Sequence, residues 1–337
     1  LALGRLALAA NTTGTQNVGL GSESMQSNTT GSYNLAIGVS AMDANTTGSR
    51  NIAIGGQSYD ASDTESDNLA IGFAAMTTNT AGGTQNVAIG NYALDASTSG
   101  DNNVGVGYAA LGVNTSGDNN TAVGWQAMIA NTTGGNNTAV GYGALGAETT
   151  ATGNTAVGAG AGDTITTGNF NVAVGYNAMT LCTEGIANVG IGHDAVLRTT
   201  TGDFNIGVGK EALKENLTSD GNTAVGHRAL KDNVAANNTA MGFDAVTNNT
   251  SGVENTGIGK EVMFTNTDGL RNTAVGHQAL YTNNGTDNTA VGRTALQSNT
   301  TGDNNTAVGS YALDANTTGG SNTAVGKGAL KGNTTAS

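Results

Sequence analysis

One short segment, Asn-x-Ala/Gly-aliphatic-Gly, recurs through the whole chain and constrains the fold more than any other feature. Its last residue returns every 17 residues, apart from one step of 18 and two of 16. A short fixed period means that each repeat contacts only its neighbours, so the sequence predicts a solenoid. The twenty glycines that mark the repeats are Gly4, Gly21, Gly38, Gly55, Gly72, Gly90, Gly107, Gly124, Gly141, Gly158, Gly175, Gly192, Gly209, Gly226, Gly242, Gly259, Gly276, Gly292, Gly309 and Gly326.

Numbered from its asparagine, one repeat reads Asn-Thr-Ala-Val-Gly-x-x-Ala-Leu-x-x-Asn-Thr-Thr-Gly-x-x. Position one is Asn in all nineteen complete copies, from Asn17 to Asn322, and position three is only Ala or Gly. Positions one to five alternate as a strand does, with positions two and four on one face. The glycine at position five permits a corner, and positions six to nine predict a second short strand. Asn-Thr-Thr-Gly predicts the return turn.

Seventeen residues are too few for a helix pair and suit one two-strand turn of a β-roll. We therefore predict an all-β fold, a parallel β-solenoid (β-roll) of about twenty 17-residue coils, with neighbouring coils about 4.8 Å apart. The position-one asparagines are expected to form a ladder along the coils. Since the repeat runs from residue 1 to 337 without a change in composition, we expect one repeat array that is a segment of a longer chain.

One coil departs from the pattern at position nine, where the other coils carry a large apolar residue. This coil has Gly162 there, and Ala159-Gly160-Ala161 supplies no bulk before it. We expect Ile165, three residues later, to fill part of the resulting gap.

Composition and charge narrow the possible partners. The net charge of −13 argues against nucleic acid as a partner. No apolar run is long enough to span a membrane. The single cysteine, Cys182, excludes an internal disulfide, and we interpret it as a tolerated surface substitution.

The small apolar content of each coil predicts an assembly of several chains. A coil has about two or three large apolar residues, worth about 1.5–3 kcal/mol each when buried, which barely offsets the entropy of ordering the coil. The restriction of position three to Ala or Gly also suggests that another backbone packs against that strand. Both features favour several chains that wind side by side.

The segments Asn34–Gly38, Asn51–Gly55 and Asn86–Gly90 resemble the head repeats of trimeric autotransporter adhesins of the YadA type. The resemblance covers the whole chain, although the repeat here is longer than the family's usual one. It implies a left-handed β-roll, a homotrimer around one axis and an extracellular binding role. The Gly-Asn-Thr repeats are also similar to those of phage tail fibres, which implies a place on the virion.

The sequence shows no catalytic, cofactor-binding or metal-binding constellation. His193, His227 and His277 share position six, but the first two lie two coils apart, about 10 Å, which is too far for one metal ion. We interpret them as solvent-exposed, with a meeting of three copies on a trimer axis as the alternative. Asp101 and Asp118 lie in predicted turns and do not form the carboxylate pair of a glycosidase.

Position six also carries a set of aromatic residues that we single out as a candidate surface-binding stripe. One interpretation is that the stripe binds a host-surface glycan or protein, because ring faces stack on the apolar faces of sugars. The alternative is that neighbouring rings stack on one another and stiffen the array. The stripe consists of Phe73, Tyr108, Trp125, Tyr142, Tyr176 and Phe243.

Together these features predict a structural, extracellular fibre shaft of a trimeric adhesin or a viral tail fibre. We expect a homotrimer on a cell surface or virion, with no enzymatic activity and no cofactor. An ice- or crystal-binding β-solenoid stays open as an alternative, because Thr ladders present spaced methyl and hydroxyl groups. A carbohydrate-active β-helix enzyme is a further alternative that would need a carboxylate cluster.

Overall fold

The computed structural model describes residues 1–79 and 82–337, which form two compact units, Leu1–Phe170 and Asn171–Ser337. Each unit is a parallel β-solenoid in which every coil contributes one short strand, and the described residues contain no helix. The predicted fold class and the spacing of roughly 17 residues between coils are confirmed. That residues 1–337 form a single array stays a prediction.

The strands of each unit pair in parallel in chain order, with equivalent residues opposite one another, as Val18 and Leu35 are. The strands of the first unit are β1 (Ala2–Leu3), β2 (Val18–Leu20), β3 (Leu35–Ile37), β4 (Ile52–Ile54), β5 (Leu69–Ile71), β6 (Val87–Ile89), β7 (Val104–Val106), β8 (Thr121–Val123), β9 (Thr138–Val140) and β10 (Thr155–Val157). Those of the second unit are β11 (Val172–Val174), β12 (Val189–Ile191), β13 (Ile206–Val208), β14 (Thr223–Val225), β15 (Thr239–Met241), β16 (Thr256–Ile258), β17 (Thr273–Val275), β18 (Thr289–Val291), β19 (Thr306–Val308) and β20 (Thr323–Val325).

The rest of each coil is built from turns that are hydrogen-bonded from coil to coil, as the strands are. Gln126 N donates to Tyr108 O in the preceding coil at 2.9 Å, and Met128 N donates to Ala144 O in the following coil at 2.9 Å. The predicted second strand over positions six to nine is wrong. Positions seven and nine, here Gln126 at φ 53° and Met128 at φ 51°, adopt the left-handed conformation, which β-strands do not use.

The interior of each coil is filled by its own side chains at positions three, eight and nine. In one coil Gly105, Ala110 and Leu111 all face inwards and are buried. A Cβ on Gly207, at position three, would lie 2.5 Å from Val196 Cγ2 of the preceding coil. The inference that another chain's backbone restricts position three is therefore wrong, because position three packs against the core of its own chain.

In the coil that lacks a large residue at position nine, the side chain at position twelve fills the space. Ile165 is buried, as expected. A Cβ built on Gly162 would lie 3.0 Å from Ile165 Cδ1 and 2.9 Å from Leu145 Cδ2, so these side chains occupy the space.

The position-one asparagines join each coil to itself and to the next coil. Asn103 Oδ1 accepts a hydrogen bond from the backbone N–H of Asn120 at 2.9 Å, and Asn103 Nδ2 donates to Gly117 O of its own coil at 2.8 Å. The expected ladder thus runs from side chain to backbone. Direct contacts between amide side chains also occur at some position-one steps of the second unit, where Asn222 Nδ2 donates to Asn205 Oδ1 at 3.2 Å. They occur at position twelve as well, where Asn131 Nδ2 donates to Asn114 Oδ1 at 2.9 Å.

The corner glycine at position five is required by its conformation and by close contact between coils. Gly124 has φ 143°, and a Cβ there would lie 2.3 Å from Gly141 O. A side chain would therefore strain the backbone and push neighbouring coils apart.

Gly124→Ala is expected to lower the free energy of unfolding by about 3 kcal/mol or more, since it adds backbone strain to a steric clash. Urea denaturation followed by circular dichroism measures the loss. Gly56→Ala is the matched control, because its Cβ would make only an ordinary contact, 3.6 Å from the Phe73 ring. Equal losses in the two variants would contradict this account of the corner.

Candidate functional site

Outward-facing rings form a ladder of contacts in the first unit. Phe73 and Tyr92 meet edge to face at 5.7 Å between ring centroids, and Tyr92 and Tyr108 do so at 5.8 Å. Tyr108 stacks on Trp125 at 6.1 Å, and Trp125 stacks on Tyr142 at 4.8 Å with the ring planes 4° apart. All five side chains are substantially exposed. The structure therefore brings four of the six predicted stripe residues together, and these five rings are called the ring ladder.

Tyr92 belongs to the ring ladder but was not predicted from the sequence, because it occupies position seven instead of six. Its coil has Asn91 at position six, and Asn91 Oδ1 accepts a hydrogen bond from the backbone N–H of Phe73 at 2.9 Å. The ring at the next position covers the gap between Phe73 and Tyr108. An aromatic residue directly after a non-aromatic position six is the signal that could have identified it.

The remaining two stripe residues lie in the second unit, where each stacks on a histidine. Tyr176 lies 5.3 Å from His193, and Phe243 lies 5.1 Å from His227, between ring centroids. Lys260 Nζ also lies 5.8 Å from the centroid of Phe243. Position six of this unit therefore carries both aromatic rings and cationic side chains. The ring contacts described there form separate pairs and not a continuous ladder.

An open cavity of about 350 Å³ lies at the Tyr142 end of the ring ladder. Gly143 and Gly146 carry no side chains, and Ala159 occupies position six of the next coil, so the space beside Tyr142 is not filled from either coil. The lining residues are Trp125, Gln126, Ile129, Tyr142, Gly143, Gly146, Ala147, Asp163 and Thr164.

The described residues contain no group of three His, Cys, Asp or Glu side chains that could hold a metal ion. His193 and His227 stack on neighbouring rings, as above, and each lies near an aspartate, with Nδ1 of His193 3.4 Å from Asp194 Oδ2. Residues 1–79 and 82–337 contain no helix with the length and apolar character needed to cross a membrane.

Cys182 occupies position twelve, where most coils have an inward-facing asparagine. It is completely buried, so the prediction that it is a surface substitution is wrong. Burial raises the pKa of the Cys182 thiol to about 12, which keeps it protonated and unreactive. The error arose because Asn-Thr-Thr-Gly resembles a polar surface turn, whereas its first side chain points into the coil.

Glu148 occupies the same position in the first unit and is also completely buried. Neither of its carboxyl oxygens has a well-formed hydrogen bond among the described residues, and Asn131 Oδ1 in the preceding coil is unpaired as well. Burial raises the pKa of Glu148 to about 8, and the nearby amides of Asn137 and Asn154 offset this only in part. At neutral pH the interior therefore holds a mostly protonated, neutral acid.

Comparison with protein-family models finds none that matches this chain, and comparison with curated proteins finds no match either. Function is therefore inferred from the outward surface itself.

Glu148→Asn is expected to make stability less dependent on pH. The folded-state pKa of about 8 exceeds the ordinary value of 4.5, so the stabilising contribution is complete below the ordinary value and lost as pH rises through 8. Between about pH 5 and about pH 8 the wild-type free energy of unfolding should fall by on the order of a few kcal/mol.

Denaturant titrations across that pH range measure the slope for each protein. Asparagine is the residue that forms hydrogen bonds at position twelve in most other coils. In Glu148→Asn the free energy of unfolding should therefore change less with pH than in the wild type. Glu184→Asn, at an exposed glutamate, is the control and should keep the wild-type slope. A wild-type slope in Glu148→Asn would show that the buried acid does not determine the pH dependence.

Proposed function

We propose that this chain is the structural shaft of an extracellular fibre, a trimeric adhesin or viral tail fibre, that binds a host surface along its ring ladder. The observation that carries the proposal is that each coil uses separate positions for its interior and for its outward surface. Inward positions hold the coil together, while five rings in succession are displayed outwards and contact one another. Contiguous exposed apolar patches of this kind mark interaction surfaces. The proposal includes no catalysis and no cofactor.

A location outside the cell or on the virion suits the chemistry of the coil. The only thiol, Cys182, is buried, so the chain presents no thiol for oxidative cross-linking. Backbone groups in turns and strands alike bond to neighbouring coils. Such bonding opposes the local opening on which proteolysis depends.

Tyr142→Ser is expected to weaken binding to host cells or glycan-coated beads several-fold, with little change in melting temperature. Tyr33→Ser is the matched control, because Tyr33 is 58 % exposed and Tyr142 is 62 % exposed, but Tyr33 lies at position seventeen, outside the ring ladder. Bead pull-down and thermal melting measure the two effects. Unchanged binding together with a melting temperature several degrees lower in Tyr142→Ser would show that the rings only stiffen the coils.

We also propose that three copies associate, with the left-handed winding that the resemblance implies. The support is a pair of outward aliphatic columns at positions two and four of β2 to β7, for example Ile52 and Ile54 of β4, which are exposed or half-buried. Covering these columns with a second chain would stabilise the assembly by about 25 cal/mol per Å² of apolar surface.

Light scattering is expected to give the mass of three chains of 33.2 kDa for the wild type. Ile37→Lys combined with Ile54→Lys should shift the mass towards one chain, because a lysine buried without a partner is costly. Thr47→Lys, on an exposed turn, should leave the mass unchanged. A monomeric wild type would refute the trimer.

A second candidate function, binding to ice or another crystal, is favoured by the strand face of the second unit. Strands β14 to β20 all begin with an outward threonine, and these lie in register, as Thr289 and Thr306 do. None of these seven hydroxyls has a hydrogen-bond partner among the described residues. A turn threonine such as Thr300, in contrast, donates to Thr317 O at 2.9 Å. The result is a regular column of free hydroxyls about 4.8 Å apart.

Thermal hysteresis and inhibition of ice recrystallisation test this second candidate. If it is correct, the wild type is active, Thr273→Lys combined with Thr289→Lys abolishes the activity, and Tyr142→Ser has no effect. An inactive wild type would eliminate ice binding.

A further inference from the structure

We propose that the cavity beside Tyr142 is a subsite for one neutral hexopyranose ring, which stacks on Tyr142 and donates hydroxyl hydrogen bonds to Asp163. This inference rests on the proposed function, since it names the ligand class for one end of the ring ladder.

The ring ladder stops where one more ring would fit. One face of Tyr142 stacks on Trp125 at 4.8 Å, with the ring planes 4° apart. The ring position of the following coil holds Ala159, so the opposite face of Tyr142 has no ring against it within the described residues of this unit. A planar or chair-shaped ring placed there would continue the ladder at its own spacing.

Two glycines create the space for a polar partner beside that slot. A Cβ on Gly146 would lie 2.5 Å from Asp163 Oδ1, and a Cβ on Gly143 would lie 3.9 Å from the same atom. The Asp163 carboxylate therefore occupies the room left by the missing side chain at residue 146. The cavity volume of about 350 Å³ lies at the lower end of the usual range for small-molecule sites, roughly 300–1,000 Å³.

Asp163 supplies the acceptor that a sugar needs. No ion pair or side-chain hydrogen bond engages its carboxylate among the described residues, and partial burial raises the pKa of the group. Its two oxygens can accept hydrogen bonds from two neighbouring hydroxyls, and charge-assisted bonds of this kind are strong. A hexopyranose matches both partners, because it combines a face of C–H groups with a rim of hydroxyl donors.

The charge of the first unit selects for a neutral sugar. Residues 1 to 170 include two basic side chains and eleven acidic ones, of which Asp163 lies at the cavity itself. Uronic and sialic acids would be repelled. An aromatic side chain of a partner protein could also stack on Tyr142, but a phenol has one hydroxyl and would use a single Asp163 oxygen.

Trp125 is the only tryptophan of the chain, lines the cavity and stacks on Tyr142, so its fluorescence reports on a ligand bound beside Tyr142. The full chain is titrated with the methyl glycosides of glucose, galactose and mannose up to about 100 mM, because a site of one ring is expected to bind weakly. At least one glycoside should give a saturable change.

Two variants test the geometry. Ala159→Tyr places a ring in the slot, as other coils carry at this position, and should lower the affinity by at least about tenfold. Asp163→Asn keeps the shape but removes the charge, and should weaken binding several-fold. Tyr33→Ser, at an exposed ring outside the ring ladder, should bind the glycoside as the wild type does. Circular dichroism shows whether each variant is folded. If Ala159→Tyr does not fold, Asp163→Asn still decides the test.

The proposal is overturned if no glycoside gives a saturable change, or if the folded Ala159→Tyr and Asp163→Asn variants bind like the wild type. Saturation by p-cresol without saturation by any glycoside would overturn it too, because the slot would then take an aromatic side chain. If Tyr142→Ser loses host-surface binding but no glycoside gives saturable binding to the wild type, the proposed function stands and the subsite is rejected. If a glycoside binds saturably but the chain binds no host surface, the subsite stands and the proposed function is rejected.

Discussion

The side-chain amide of the position-one asparagine is the interaction on which every coil depends. Asn120 Oδ1 accepts the backbone N–H of Asn137 in the next coil at 3.0 Å, and Asn120 Nδ2 donates to Gly134 O of its own coil at 2.8 Å. One side chain thus satisfies two buried backbone groups at the point where the coil closes and the next strand begins. Aspartate lacks the donor and glutamine is longer by one methylene, which explains why this position is always asparagine.

Because inward positions hold the coils together, outward positions can change from coil to coil without loss of the fold. The two units use this freedom differently. The first displays the ring ladder at positions six and seven and aliphatic columns on its early strands. The second displays threonines on its later strands and mixes rings with cations at position six. The proposed adhesion, the proposed self-association and the alternative of crystal binding would therefore use separate surfaces, and substitutions on one surface can test each proposal without altering the coil interior.

The sequence alone predicted the features that depend on spacing and alternation. The period, the parallel pairing and the strand at positions two to four, as in β8, follow from recurrence. The prediction of a second strand at positions six to nine failed because the sequence pattern does not reveal the backbone conformation. Met128 looks like a strand residue, yet it has φ 51°. It also failed for Cys182, since a polar turn motif conceals an inward-facing position. Four members of the ring ladder were found by their shared position, and Tyr92 was missed because it is displaced by one residue. The cavity could not be foreseen, because it depends on Gly146 and Asp163 meeting across two coils.

Amide hydrogen exchange in Asn120→Ala tests most directly whether the asparagine amides hold the coils together. Removing the side chain leaves the Asn137 N–H without its acceptor. The N–H should lose protection, and the free energy of unfolding should fall by about 2–4 kcal/mol. Thr121→Ala, at the outward residue next to it, should leave both quantities nearly unchanged. If the Asn137 N–H stays as protected in Asn120→Ala as in the wild type, with no loss of stability, the asparagine ladder is not what holds this fold together.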